Sequence, residues 1–292
     1  MEGNIKMFKI GFMPNSTMLS WEPEKVCEYL KNAGYDAIEL LPVFVCADSK
    51  TENDRKRMSQ AAEKSGLAIS EIVLQRDLVM HDENARNQNI EYIIRNIKTA
   101  ADMGVFTVNM FTGPEPWTAN PLIIDKNISS SQAWEWVFEA FDRILPVAEK
   151  NGVRIAVENV FGMLCHDFYT NMYLNKHYNS PNLGVNFDPS HDALYGNTDM
   201  KFLINGWGVD KIFHVHLKDA AGIPEMGRFI FPVIGEGVVD WKTFFSEMKK
   251  IGYGGCMSVE FESFAYINAG LNGKFEESAG LSRKIIAKLM GE

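Results

Sequence analysis

Eight short apolar segments recur along this chain, and stretches with the periodicity of amphipathic helices separate them. Several helical stretches end in a glycine before the next apolar segment, as at Gly34, Gly66 and Gly152, and glycine supplies the left-handed turn that ends a helix. This alternation indicates parallel strands joined by right-handed crossovers. The predicted strands are Phe8–Met13, Ala37–Leu41, Ala68–Leu74, Val105–Met110, Arg154–Glu158, Leu183–Asp188, Ile212–Leu217 and Met257–Phe261, and the clearest helices are Glu24–Ala33, Asp54–Ser65, Ile90–Met103, Ser131–Lys150 and Trp241–Ile251.

Eight strand–helix units in 292 residues predict a (β/α)8 barrel, the TIM barrel of the α/β class. An open, doubly wound sheet is the alternative that uses the same elements. A dinucleotide-binding sheet of that kind would carry a Gly-x-Gly-x-x-Gly turn after its first strand, and this chain has none there. No Pro- or Ser-rich linker divides the sequence, so we expect a single domain over residues 1–292.

Composition narrows the classes of function. Hydrophobic residues make up 46% of the chain, which is enough for a large core. The formal net charge of -9 and the lack of a long Lys/Arg run argue against a nucleic-acid partner, because duplex binding depends on neutralising phosphates. Four scattered cysteines indicate free thiols, and no apolar segment suits a signal peptide or a membrane span. We therefore expect a cytoplasmic protein without a nucleic-acid or membrane partner.

Polar side chains occupy the predicted inner faces of four consecutive strands. Strand side chains alternate between two faces, so placing the apolar residues against the helices turns Glu158, Asp188, His214, His216 and Glu260 toward the barrel interior. These residues lie near the carboxyl ends of their strands, where barrel enzymes have their active sites. Three carboxylates and an imidazole are therefore expected to converge.

Converging buried carboxylates need counter-charge, because isolating an ionised carboxylate from water is very unfavourable. Nearby cationic partners are limited to Arg154, toward the opposite end of the barrel, and Lys218. A bound divalent cation is a simpler source of this counter-charge than ion pairs with Lys or Arg. Oxygen-rich ligation with one imidazole suits Mn²⁺, Mg²⁺ or Co²⁺ and is compatible with Zn²⁺. The sequence therefore predicts one divalent metal ion, with Mn²⁺ as the first candidate.

The segments that carry these residues resemble the xylose isomerase-like barrel superfamily. That group includes sugar phosphate isomerases and epimerases, ketose 3-epimerases, inosose isomerases and dehydratases, and endonuclease IV. The resemblance covers most of the chain. The segments are Gly34–Leu40, Ala156–Asn159, Asn186–His191, His214–Asp219, Pro232–Trp241 and Ser258–Phe261.

The resemblance implies a metal-dependent isomerase or epimerase that moves a proton alpha to the carbonyl of a ketose or related sugar. It makes Glu158 and Glu260 the catalytic pair. It also prefers His216 to His214, because the family ligand lies three residues before an aspartate, here Asp219. The implied metal ligands are Glu158, Asp188, His216 and Glu260.

The same resemblance implies a set of substrate-binding residues. His191 matches a histidine that contacts substrate, and Lys218 is expected to orient hydroxyls beside it. Arg228 lies in the loop where relatives place a substrate-binding arginine, with a loop-ordering salt bridge as the alternative. Glu236, between two glycines, is expected to support that loop, or to be a simple turn residue.

The kind of substrate is left open at this stage. Lys218 and Arg228 favour an anionic or phosphorylated group, whereas neutral hexuloses, pentuloses and inososes suit the same chemistry. Related barrels often form dimers or tetramers, so the implied partners are a small-molecule sugar and further copies of the chain. The aromatic residues near strand ends, which would wall a sugar site or pack in the core, are Phe12, Trp21, Phe111 and Trp117.

Alternative activities share the barrel. Ketose 3-epimerases carry a further glutamate where this chain has Leu164, so the resemblance implies the superfamily and leaves that subgroup in doubt. An inosose-type dehydratase, a lyase, begins with the same proton abstraction and then loses a hydroxyl. An endonuclease IV-like repair enzyme needs histidines after the second and third strands, and this sequence lacks them there. A barrel that only binds a sugar has no need of two acid/base glutamates.

Overall fold

The computed structural model describes residues 8–291, and within them eight parallel strands close into a barrel. The barrel strands are β1 (Lys9–Phe12), β2 (Ala37–Leu40), β3 (Ala68–Val73), β4 (Thr107–Met110), β5 (Arg154–Glu158), β6 (Leu183–Phe187), β7 (Ile212–Leu217) and β10 (Cys256–Val259). Closure comes from β1, which pairs with β2 on one side and with β10 on the other. The predicted (β/α)8 barrel is confirmed, and each barrel strand lies within one of the predicted segments or within one residue of it.

Helices surround the barrel. They are α1 (Pro23–Asn32), α2 (Pro42–Val45), α3 (Glu52–Ser65), α4 (Glu83–Asp102), α5 (Ser130–Lys150), α6 (Phe168–Tyr178), α7 (Pro189–Leu194), α8 (Met200–Trp207), α9 (Trp241–Lys250), α10 (Phe264–Gly270) and α11 (Ser278–Met290). Local caps fix several of their ends. Thr51 and Asp54 form a reciprocal capping box at the start of α3, and Gly66 ends that helix at φ +66°.

Helix α4 begins seven residues earlier than the predicted Ile90. Asp82 caps the earlier start, because its side chain accepts a hydrogen bond from the backbone N–H of Ala85. Arg86 in the added turn is buried and lies over the ring of Trp136, with its guanidinium carbon 4.4 Å from the ring centroid. Apolar periodicity could not reveal this turn, since its buried residue is an arginine.

Strand β3 carries a bulge that matters for the site. Ile38 of β2 pairs with Ile69 and Leu40 pairs with Ile72, so β3 has one more residue than β2 over this interval. As a result, both Ser70 and Glu71 turn into the barrel: Ser70 contacts the inner-face Ser258, and Glu71 contacts the inner-face His214. Strict alternation would have put only one of the two inside.

A short hairpin is inserted between β7 and α9. Its strands, β8 (Ala221–Gly222) and β9 (Phe229–Ile230), are antiparallel and lie outside the barrel sheet. Gly222 has φ +114°, and a Cβ there would lie 2.3 Å from the carbonyl oxygen of Arg228, so this turn requires glycine.

One continuous apolar core fills the space between strands and helices. The cysteines, all within the described residues, are unpaired. Within residues 8–291, no helix combines the length and apolarity needed to cross a bilayer. The first residues of the chain, which bear on the predicted lack of a signal peptide, lie outside the described part.

Candidate metal centre

The carboxyl ends of four barrel strands bring Glu158, Asp188, His216 and Glu260 together. One ligand atom from each lies within 4.8 Å of the others. His216 Nδ1 is 2.9 Å from Glu158 Oε1 and 3.4 Å from Glu260 Oε2. Asp188 ends its strand by capping α7, since its Oδ1 accepts a hydrogen bond of 2.8 Å from the backbone N–H of Ser190. Strand alternation predicted that these side chains converge, and the structure shows that they do. The ion that the group would bind stays a prediction.

Lys218 lies among these carboxylates. Its Nζ is 3.0 Å from Asp188 Oδ2 and 3.1 Å from Glu262 Oε2, and it also pairs with Glu260. Burial alone would lower the pKa of Lys218, but the carboxylates of Asp188, Glu260 and Glu262 outweigh burial and hold that pKa well above its usual range. Lys218 is therefore a fixed ammonium group at the floor of the site.

The acids of the site differ in their affinity for protons. Burial raises the pKa of Asp188 to about 6, although Lys218 opposes the shift. Burial also acts to raise the pKa of Glu260, yet Lys218 and His216 outweigh it and keep the pKa of Glu260 below its usual range. His216 has a pKa well above its usual range, because Glu158, Glu39 and Glu260 together outweigh the effect of burial.

The residues present fit a divalent cation. The carboxylates of Glu158, Asp188 and Glu260 face two cationic groups, Lys218 and His216, so negative charge is in excess even without Glu262, whose pKa is raised. Asp188 Oδ2 lies near Lys218 but makes no well-oriented hydrogen bond, and it is buried. A buried carboxylate oxygen without a hydrogen-bond partner, beside further oxygens and one imidazole, is a donor set that Mn²⁺, Mg²⁺, Co²⁺ or Zn²⁺ can use.

A second acidic group lies deeper in the barrel, and sequence reasoning missed it. Glu39 of β2 and Glu71 of β3 are completely buried and converge with His214 and His216 within 4.8 Å. His216 Nε2 is 3.2 Å from Glu39 Oε1, so the two ring nitrogens of His216 face different carboxylates. His214 belongs to this deeper group only, which agrees with the choice of His216 for the upper one.

Two neutral amides orient Glu158, and they were also missed. Gln75 Nε2 donates to Glu158 Oε2 at 2.7 Å, and Asn109 Nδ2 donates to the same oxygen at 3.1 Å. Asn109 also donates to Glu71 at 3.3 Å and so links the two acidic groups. Because Oε2 is held by amide donors, Oε1 is left to face His216.

His191, predicted to bind substrate, lines the cavity above the acids. Its Nδ1 accepts a hydrogen bond of 3.3 Å from the backbone N–H of Phe161. Burial, followed by the charge of Lys218, lowers the pKa of His191 well below its usual range, so the ring is neutral. Its Nε2 lies 3.2 Å from Lys218 Nζ and 3.6 Å from Asp188 Oδ2.

Arg228 and Glu236 lie apart from these residues. Arg228 is exposed and donates to the exposed Glu225 at 2.7 Å, an arrangement that matches the loop-ordering alternative. Glu236 is exposed in a turn whose backbone is held by Asp219. Neither side chain lines the cavity, so their assignment to substrate binding finds no support in this geometry.

Asp219 is a structural anchor for that turn. Its buried carboxylate accepts hydrogen bonds from the backbone N–H groups of Gly235, Gly237 and Val239 and from Trp241 Nε1, at 2.9 to 3.1 Å. A Cβ at Gly237 would lie 2.1 Å from Asp219 Oδ1, so glycine is required there. The family-like segment Pro232–Trp241 is thus fixed to the end of β7 by one side chain.

A cavity of about 530 Å³ opens above the acids. Glu158, Glu260 and Glu262 lie at its polar end, and aromatic residues form much of the remainder. Phe111 and Trp117, named from the sequence as candidates, do line it, whereas the described lining does not include Phe12 or Trp21.

The sequence model of the family described as "Xylose isomerase-like TIM barrel" matches residues 27–285. The inosose isomerase of Bacillus licheniformis is 26% identical over 264 residues, covering 86% of this chain and 88% of that protein. The inosose dehydratase of Geobacillus thermodenitrificans is 23% identical over 155 residues, 49% of this chain and 51% of that protein. The uncharacterized protein MJ1311 of Methanocaldococcus jannaschii is 28% identical, and this chain matches 58% of its length.

Solved structures show the same fold. The IolI protein with a binding zinc atom superposes with a TM-score of 0.75 at 20% identity, over 97% of this chain and 98% of that one. The 3-keto-D-glucoside 4-epimerase YcjR of E. coli also gives a TM-score of 0.75, at 16% identity, over 98% of this chain and 100% of that one.

Proposed function

The chain belongs to the xylose isomerase-like TIM barrel family, and from this membership we propose that it is a metal-dependent isomerase or epimerase of a sugar ketone. Its relatives include an inosose isomerase, and its structural neighbours include a 3-keto-D-glucoside 4-epimerase, which supports an enzyme. One observation carries the proposal: Glu158, which is buried, and Glu260, whose side chain is 12% exposed, approach His216 Nδ1 to within 3.4 Å at the polar end of the cavity.

The ion would be held by the four-residue group at the strand ends, with Mn²⁺ as the first candidate and Mg²⁺, Co²⁺ or Zn²⁺ as alternatives. A bound divalent ion supplies Lewis acidity, which stabilises negative charge developing on a substrate carbonyl oxygen. The group consists of Glu158, Asp188, His216 and Glu260.

The glutamates would exchange the proton alpha to the carbonyl. One carboxylate removes it and the other returns a proton to the opposite face of the same carbon, or to its neighbour. Glu158 is well oriented for this role because Gln75 and Asn109 hold its Oε2. Lys218 keeps Glu260 ionised, so this side chain enters the reaction without a proton of its own. The neutral ring of His191 lines the cavity beside the two glutamates.

A dehydratase is the second candidate, and Glu262 favours it. Glu262 lines the same cavity, and its Oε2 is 3.1 Å from Lys218 Nζ. Burial raises the pKa of Glu262 to about 7, so at neutral pH this side chain is protonated in part of the molecules and can deliver that proton to a departing hydroxyl. The likeness to an inosose dehydratase is in keeping with that role.

Solvent exchange tests the proposal. The protein, loaded with Mn²⁺, is incubated in D₂O with a panel of ketoses, inososes, sugar phosphates and a 3-keto-glucoside, and products are followed by NMR. An isomerase or epimerase places deuterium at one carbon and releases no water from the substrate. A dehydratase gives the same first exchange and then loses water, so the two candidates separate.

Two variants make the test specific. Glu158→Gln is expected to abolish exchange and to lower bound metal, because it removes a ligand and a proton acceptor together. Glu135→Gln changes an exposed glutamate on α5 that does not line the cavity, and it serves as the control. Metal content that is unaffected in Glu158→Gln, together with no exchange for any member of the panel, would contradict the proposal.

A further inference from the structure

The cavity above the acids has two chemically different halves. Ten of its sixteen lining residues are apolar, and the six polar ones are Gln75, Glu158, His191, Lys218, Glu260 and Glu262. These six lie within the hydrogen-bonded group already described, at the carboxyl ends of the strands. In the rest of the lining, the indole N–H of the half-exposed Trp117 is the one polar side-chain group with which to meet a ligand hydroxyl.

Aromatic rings build the apolar half. Phe161 packs on Phe229 with ring centroids 4.5 Å apart, and Phe229 packs on Phe231 at 5.2 Å. Phe231 lies next to Lys218, whose Nζ is 4.7 Å from the ring centroid. The apolar wall thus begins where the polar floor ends, and one ligand spanning both would touch the acids and the rings together.

The rim of the cavity is apolar as well. Trp117 is 50% exposed, Met226 60%, Ile230 60% and Phe264 59%. A contiguous exposed patch of large apolar side chains marks a binding surface in most soluble proteins. Three of the wall and rim residues, Met226, Phe229 and Ile230, belong to the inserted hairpin or its tip.

A free ketose or a sugar phosphate fits this cavity poorly. A sugar that presents hydroxyls in every direction would leave some of them buried against rings without a partner, which is unfavourable. Phosphate would need cations, but among the described lining residues Lys218 is the one cationic side chain, and three carboxylates already engage it. A cavity of about 530 Å³ has room for about 18 water molecules.

We propose that the ligand is an uncharged sugar ketone that carries a large apolar, ring-containing substituent, as in an aryl glycoside. The sugar end meets the acids, His191 and Lys218, while the substituent packs against Phe161, Phe229 and Phe231. This inference rests on the proposed function, because it takes a sugar ketone as the polar end of the ligand.

Binding can be measured without turnover. Phenyl β-D-glucopyranoside and methyl β-D-glucopyranoside share one sugar and differ in the substituent, and calorimetric titration of the Mn²⁺-loaded protein compares them. The phenyl glycoside is expected to bind about ten- to a hundredfold more tightly, as burial of an aromatic ring predicts. Equal affinities, or no binding of either glycoside up to the solubility limit, would overturn the inference.

A matched pair of variants locates the effect. Phe264→Ser removes an exposed ring at the rim, and Phe202→Ser removes a comparably exposed ring on α8, away from the cavity. Phe264→Ser should lower the phenyl preference severalfold, and Phe202→Ser should leave it intact. The same preference in both variants would overturn the inference. So would a dimer, seen by light scattering, that Phe264→Ser dissociates, because a second copy of the chain would then cover the rim.

This outcome is distinct from that of the proposed function. A phenyl preference without solvent exchange for any ketone would overturn the proposed activity and keep the apolar wall. Exchange that is equally fast for methyl 3-keto-β-D-glucopyranoside and for its phenyl counterpart would keep the activity and overturn the inferred substrate class.

Discussion

Replacement of Glu39 by glutamine tests how the deeper acidic group acts on the metal centre. If His216 binds an ion through Nδ1, its proton must be on Nε2, and Nε2 lies 3.2 and 3.3 Å from the two carboxylate oxygens of Glu39. A carboxylate in this position fixes the tautomer and the ring orientation and makes the imidazole a better ligand. Glu39 is completely buried, so water cannot replace it.

The expected effect is a loss of metal affinity. Glutamine can still accept the Nε2 proton through its oxygen, so Glu39→Gln removes the charge and keeps the shape. Loss of such an outer partner weakens metal binding about 10- to 100-fold, which corresponds to about 1.4 to 2.7 kcal/mol. Glu39→Ala, which also removes the hydrogen bond, should weaken binding at least as much.

Competition with a fluorescent chelator measures both variants against the unmodified chain. Glu71→Gln is the matched control, because Glu71 is equally buried but its nearest oxygen is 3.9 Å from His216 Nε2. That variant should change affinity less than about threefold. If Glu39→Gln and Glu39→Ala fold normally and bind Mn²⁺ within twofold of the unmodified chain, Glu39 does not support the ligand and the reasoning fails.

Four further outcomes follow from the same geometry. Lys218→Met should raise affinity for Mn²⁺ at least about tenfold in the chelator assay, because a buried cation no longer competes for the carboxylates; equal affinity would contradict this. The raised pKa of His216 means that its ring must lose a proton before it can bind a metal ion. The affinity for Mn²⁺ should therefore rise about tenfold per pH unit near neutrality, and calorimetry in two buffers should detect the released proton. Binding that does not depend on pH would refute this. Burial raises the pKa of Asp192 to about 8, so the folded chain holds this proton more tightly than the unfolded chain does. The stability that this group contributes is therefore present below about pH 4 and is lost as the pH rises to about 8. In urea unfolding at pH 5 and pH 8, Asp192→Asn should reduce that loss by about 1–3 kcal/mol, and parallel pH profiles of the variant and the unmodified chain would contradict this. Asp219→Ala should cost about 3 kcal/mol of unfolding free energy, because several buried donors lose their acceptor; a change under about 1 kcal/mol would be inconsistent with the anchoring role.

The sequence was most informative where strands alternate without interruption. In β5 and β10 every second residue faces the barrel, so alternation alone assigns Glu158, at the end of β5, and Glu260, directly after β10, to the interior. The same regularity turned Asp188 and His216 inward. Parallel strands end at one rim, and this alone brings the four side chains to one place.

Other parts of the site left weaker traces. The bulge in β3 turns both Ser70 and Glu71 inward, which period-two alternation cannot express. Glu39 obeys alternation, but a lone acid in an apolar strand does not reveal that it faces the second nitrogen of a ligand histidine. Gln75 and Asn109 are neutral, so a search for charged side chains on the inner faces of the strands does not identify them. The apolar wall depends on how the hairpin folds back over the barrel, and that conformation has no periodic pattern.

The inserted hairpin has a consequence for how this chain can diversify. Its two strands contribute only two residues each, and it lies outside the barrel sheet, so its sequence apart from Gly222 can drift with little penalty to folding. Yet Phe229 and Ile230 on it supply part of the cavity wall. The acids, in contrast, are embedded in barrel strands that tolerate little change. Selection for a new substrate should therefore act first on the hairpin, and a library confined to residues 223–231 would explore ligand preference while the proton-transfer groups stay constant.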